Sequence, residues 1–72
     1  MTNTRLLKEK ISLSGMKLEH LAELCGITRQ SLTNKINNRS SFSPREIDIL
    51  CKALKISSLV EKERIFFAKN VE

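Results

Sequence analysis

The stretch from Leu18 to Asn38 leaves little choice of local fold, and residues 21 to 36, LAELCGITRQSLTNKI, constrain it most. Leu18, Leu21 and Cys25 recur at i, i+3 and i+7 with Ala22 beside them, so all four share one face of a helix. Glu19, His20 and Glu23 occupy the opposite side. A helix packed close against a neighbour needs a small side chain at the crossing, and Ala22 provides one. Gly26 then supplies the positive φ that ends a helix with little strain. Thr28 is a good N-cap for a second helix, and Ile27 with Leu32 falls at N′ and N4, the positions of a hydrophobic staple. The spacing predicts two short helices, over 18–25 and 29–37, joined by a turn of about three residues.

In the second of these helices Leu32 and Ile36, spaced i, i+4, face the core, while Arg29, Gln30, Thr33, Asn34 and Asn37 form a continuous polar strip on the other side. Arg, Gln and Asn carry paired donors and acceptors that fit base edges in a DNA major groove. An ordinary solvated helix face has the same polarity. The turn geometry beside the strip favours the nucleic-acid reading.

Residues 16 to 39, MKLEHLAELCGITRQSLTNKINNR, resemble the helix-turn-helix of the Cro and lambda-type repressor family, which is widespread among phage and bacterial regulators. Leu21-Ala22, Gly26-Ile27-Thr28 and Leu32 carry the likeness most specifically. The flanking segments extend it more weakly to most of the chain. The resemblance implies an all-α fold, a compact four- to five-helix lambda-repressor-like domain. It also implies that Arg29, Gln30, Thr33 and Asn34 face the major groove, while Thr28, Asn38 and Arg39 approach phosphates. With Asn37 at the end of the strip, these eight residues are the expected DNA-binding set. Lys17 and Leu18 depart from the family pattern, which often has a phosphate-holding Gln or Thr there, and Leu24 is apolar where family members are usually polar. Packing against the first or last helix accounts for either leucine. A protein-binding patch is the sharper alternative.

The flanks read as three further helices, giving segments at about 3–13, 18–25, 29–37, 44–55 and 59–68 in one domain spanning 1–72. Asn3 or Thr2 caps the first, Leu6, Leu7, Ile11 and Leu13 supply its apolar positions, and Ser14-Gly15 ends it. Residues 37–41, Asn-Asn-Arg-Ser-Ser, form a polar loop in which Asn adopts the left-handed conformation that stops a helix. It is either a phosphate grip or a plain surface turn. Ser43, Pro44 and Glu46 stand at N-cap, N1 and N3 of a capping box, with Phe42 and Ile47 as its staple. Ile47, Leu50, Cys51 and Leu54 then trace one apolar face. Ser58 with Glu61 offers a second capping box. Beyond it, Leu59, Val60, Ile65, Phe66, Phe67 and Ala68 exceed what one narrow face needs. The expectation is that one of the adjacent phenylalanines closes the core while the other meets a partner or a second copy; burial of both is the alternative.

Seventy-two residues make a small domain near the size where stability is marginal, and 40% hydrophobic residues exclude a compositionally disordered chain. No stretch approaches the roughly 18 apolar residues of a membrane helix, and MTNTRLLKEK lacks a signal-peptide core, so a cytoplasmic protein of a bacterial host cell is expected. Cys25 and Cys51 fall on apolar faces and read as free core thiols. The net charge of +5 favours a polyanionic partner without identifying one. Its distribution says more, since no acidic residue lies between Glu23 and Glu46 while Arg29, Lys35, Arg39 and Arg45 all do. The single histidine, His20, has no nucleophile, carboxylate pair or glycine loop beside it, so no enzyme activity, cofactor or metal is expected. The function expected is that of a sequence-specific regulator, a phage Cro-like repressor. It would bind double-stranded operator DNA as a homodimer on half-sites about one DNA turn apart. The alternative is a phage antirepressor, or modulator of repression. Such a protein binds a larger lysogeny repressor and blocks its operator binding, here through Leu18, Leu24, Phe66 and Phe67.

Overall fold

Each helix is started by a side chain that accepts a hydrogen bond from its first turn, with one exception. In the computed structural model, which describes residues 1–69, α1 (Thr4–Ser14) is capped by Asn3, α3 (Arg29–Ile36) by Thr28, α4 (Pro44–Ala53) by Ser43 and α5 (Leu59–Phe66) by Ser58. The exception is α2 (Leu18–Cys25), where Lys17 stands at the cap with no side-chain bond. The capping box at α4 is complete, with Ser43 and Glu46 exchanging bonds. At α5 only the Ser58 half forms, because the Glu61 carboxylate instead pairs with Lys10 of α1 at 2.6 Å.

Four of the five helix ends share one device. Gly15, Gly26, Asn38 and Lys55 have φ of 73°, 72°, 64° and 59°, the left-handed conformation that reverses the chain after a helix. At three of these turns the next amide donates back across the end: Ile27 to the Ala22 carbonyl, Arg39 to that of Asn34, and Ile56 to that of Cys51. This explains why the third and fourth helices stop short of the lengths expected from the sequence. The third ends at Ile36, with Asn37 already outside it, and the fourth ends at Ala53 so that Ile56 can turn back into the core. The fifth ends at Phe66.

The fold is all-α, five helices with no strand among the described residues, and each helix contributes one side chain to the centre. Leu7, Leu21, Leu32, Leu50 and Ile65 are at most 1% exposed. Removing one such side chain from water is worth about 1.5–3 kcal/mol. Ala22, Cys25, Ile36, Ile47 and Cys51 fill the space around them, and both cysteines are free. Burial pushes the thiols of Cys25 and Cys51 above their ordinary pKa. Leu13, expected as an apolar position of α1, is 80% exposed. It follows the buried Ile11 by two residues, which is about 200° around the helix and on its far side.

α1 and α5 run side by side in opposite directions, tied by the Lys10–Glu61 pair and by the Asn3 amide donating to the Ile65 carbonyl at 2.7 Å. The start of the chain also reaches the end of α3 and the turn after it. The Asn38 side chain receives the Thr2 amide at 2.8 Å and donates to the Thr2 carbonyl at 2.7 Å, and the Thr4 hydroxyl donates to the Ile36 carbonyl at 2.6 Å. Thr2 is thereby buried, although it is polar. No described helix is long and apolar enough to cross a membrane.

Candidate nucleic-acid interface

α2 fixes the position of α3. Leu21, Ala22 and Cys25 bury one face of α2 while Leu32 and Ile36 bury the facing side of α3, and the Gly26 turn sets the angle between them. What remains of α3 is an outward strip. Thr28, Arg29 and Gln30 are exposed at its start, and Thr33, Asn34 and Asn37 are half-buried along its length. The Thr28 hydroxyl oxygen accepts the Ser31 amide at 3.0 Å, so the first turn is held and the exposed side chains start from a fixed backbone.

Three of the polar side chains bond to one another. The Gln30 amide nitrogen donates to Asn34 Oδ1 at 3.1 Å, and Arg39 Nη1 reaches the same oxygen at 3.5 Å. Arg39 comes back over α3 because Asn38 takes the left-handed turn before it. With its oxygen occupied, Asn34 keeps its NH2 group available to a partner, while Gln30 keeps its carbonyl. Together they offer one donor and one acceptor, the complementary pair a base edge requires.

Two expected contributors have other engagements. Both ends of the Asn38 side-chain amide are bonded to Thr2, so that group serves the fold and leaves the outward side of the loop to Arg39, Ser40 and Ser41. Lys35, counted from the sequence among the cations around α3, donates to Glu46 Oε1 at 2.9 Å and to the Ser41 carbonyl at 3.0 Å. The side chains of this ion pair are only 16% and 10% exposed. Burial alone would raise the Glu46 pKa, but the Ser43 amide and the Lys35 ammonium outweigh it and hold the carboxyl below its ordinary value. The pair locks the 37–43 loop between α3 and α4. The positive charge near the strip therefore comes from Arg29, Arg39 and Arg45, which are exposed and have no ion-pair partner among the described residues.

The apolar residues considered for protein contact separate cleanly. Leu18 is half-buried against the core, Leu24 is 41% exposed and Phe67 is 55% exposed. Phe66 is 4% exposed, with its ring edge-on to that of Phe42 at 5.6 Å, which removes it from any surface role. The chain leaves α5 after Phe66, and Phe67, at φ −127°, stays outside the core. His20 lies at the surface, 3.8 Å from Glu23. Among the described residues no group of three or more His, Cys, Asp or Glu side chains is placed to hold a metal.

Five helices built around a buried helix pair, with a short turn and a polar second helix, define a helix-turn-helix DNA-binding domain. A family model of the Cro/C1-type HTH DNA-binding domain matches residues 5–58, and the chain belongs to that family. The match spans α1 to the cap of α5 and includes every residue of the polar strip. Neither a search of curated proteins nor a search of solved structures returned a match. DNA binding in transcription regulation is the function this family assigns.

Proposed function

We propose that the protein is a sequence-specific repressor of the Cro type that lays α3 in the major groove of operator DNA. The Gln30–Asn34–Arg39 group carries the reading, because it fixes a donor and an acceptor on the outward face of a helix whose other face is anchored in the core. In this reading Arg29 bonds guanine, Gln30 or Asn34 bonds adenine, and Thr33 and Asn37 line the groove. Thr28, Arg39 and the amides of Ser40 and Ser41 meet phosphates, which position the domain and carry no sequence information. One such helix covers only a few base pairs, so two copies on half-sites about one turn apart are needed for useful discrimination.

The test starts by selecting preferred sites from a random duplex library and measuring affinities by fluorescence anisotropy. Gln30→Ala and Asn34→Ala are expected to flatten the preference by about 1–3 kcal/mol at one base-pair position each. Arg39→Ala is expected to weaken binding to all sequences alike and to reduce the salt slope by about one. Equal losses on every sequence for all three variants refute the assignment. The 41% exposed Leu24, beside the turn, favours a second reading, in which a phage antirepressor caps the reading surface of a larger lysogeny repressor. Release of that repressor from its operator, with no DNA binding by this protein alone, supports the second reading over the first.

A further inference from the structure

Lys35 is a cation of α3 that the fold spends inward. Its ammonium bonds at once to Glu46 Oε1 of α4 and to the Ser41 carbonyl of the intervening loop. The same carboxylate oxygen accepts the Ser43 amide at 2.8 Å. One ammonium and one carboxylate oxygen thus join α3, the loop after it and the first turn of α4.

The amides of the loop divide around that junction. Those of Asn37, Asn38 and Arg39 donate back to carbonyls of α3, and that of Ser43 goes to Glu46. The amides of Ser40 and Ser41, both on exposed residues, have no acceptor among the described residues. This free stretch is flanked by bonded amides, and within it the Lys35 ammonium holds the Ser41 carbonyl. A peptide unit is planar, so fixing one carbonyl fixes how the backbone on either side of it is turned.

We propose that Lys35 and Glu46 are positioning residues for DNA binding, which hold the Ser40–Ser41 backbone in place for a phosphate while touching no DNA themselves. This role rests on the operator reading of α3. A buried ion pair adds little net stability over an apolar pair of the same shape, but it fixes one arrangement of the groups it joins. The role also reverses the sign that charge alone gives to one substitution. By attraction to phosphates, Glu46→Gln should bind DNA more tightly, because it removes a negative charge and frees the Lys35 ammonium. By loss of the brace, it binds less tightly.

Anisotropy titrations of the full chain on the duplex it prefers, over a range of salt concentrations, test this, with circular dichroism confirming that each variant is folded. Lys35→Met and Glu46→Gln are each expected to weaken binding about tenfold, with the salt slope unchanged. The double variant, Lys35→Met with Glu46→Gln, is expected to bind no worse than either single, since one brace is broken once. It leaves no lone buried charge and keeps an acceptor for the Ser43 amide, so its urea midpoint is expected to stay near the parent's, which separates positioning from stability. In the free protein, nitrogen-15 relaxation is expected to give Ser40 and Ser41 order parameters near about 0.85 in the parent and below about 0.6 in Lys35→Met. Glu46→Gln binding as tightly as the parent or more so, a salt slope lower by about one in Lys35→Met, or unchanged loop order parameters overturns the proposal and leaves the operator reading standing. A parent that prefers no duplex refutes the operator reading and this role together.

Discussion

Asn38 ties the start of the chain to the end of α3 through a single side chain. It adopts φ 64° without being glycine, and its side chain forms two hydrogen bonds to the backbone of Thr2, 36 positions away. Replacing it with alanine deletes both bonds, at about 1 kcal/mol each. It also puts a Cβ with no compensating polar group into the left-handed conformation, at about 1 kcal/mol more. Asn38→Ala is therefore expected to cost about 3 kcal/mol. Asn38→Gly loses the same bonds but relieves the backbone, and is expected to cost about 1–2 kcal/mol. A chain of this size has a total stability of only about 4–11 kcal/mol, so the alanine variant should melt roughly 12–24 °C lower. Urea unfolding followed by far-UV circular dichroism measures all three proteins. If the glycine variant is no better than the alanine variant, the backbone part of the argument fails. If both lie within about 0.5 kcal/mol of the parent, the bond to Thr2 contributes little and the whole account fails.

The Lys35–Glu46 pair makes stability depend on acid. The folded Glu46 carboxyl lies below its ordinary value of 4.5, so its contribution is fully present above about that pH and is lost as the pH falls through the lower folded value. Glu46→Gln is expected to be less stable near neutrality, by about 2 kcal/mol, and to lose less between pH 5 and pH 3 than the parent does; parallel acid limbs in urea titrations refute this. Gly26, with φ 72° and nothing within 4 Å of where a Cβ would sit, tests the turn separately from packing. Gly26→Ala is expected to cost about 1–2 kcal/mol and Gly26→Asn less, an order read from urea midpoints; equal midpoints for both variants and the parent refute a conformational role.

The parts of this fold that could be read from the sequence are those whose causes lie within a turn of one another. Ser43, Pro44 and Glu46 form their capping box from four consecutive residues, and Gly26, Ile27 and Thr28 set the turn from three. Leu32 and Ile36 needed only helical spacing to be placed inside. The parts that escaped depend on residues brought together by the fold. Nothing in the order of residues joins Thr2 to Asn38, or takes Lys35 out of the positive field by setting Glu46 beside it. Glu61 has the spacing for the second half of a capping box, but Lys10 competes for it. Phe66 and Phe67 are chemically identical neighbours, so composition could say that one is surplus without saying which. The site divides the same way: the strip from Arg29 to Asn37 was legible as helix periodicity, while the bonds linking Gln30, Asn34 and Arg39 depend on where the Asn38 turn sends the chain.

The two faces of α3 also differ in how freely they can vary. Leu32 and Ile36 are buried in the core that the other helices share, and a change at either disturbs the whole domain. Arg29 and Gln30 touch no part of the core, and Asn34 bonds only to other outward groups. Whatever surface this helix meets, its chemistry can be rewritten at a handful of positions without renegotiating the scaffold. Such a domain can diverge quickly in target while its shape persists, and descendants of one ancestor can come to ignore each other's sites.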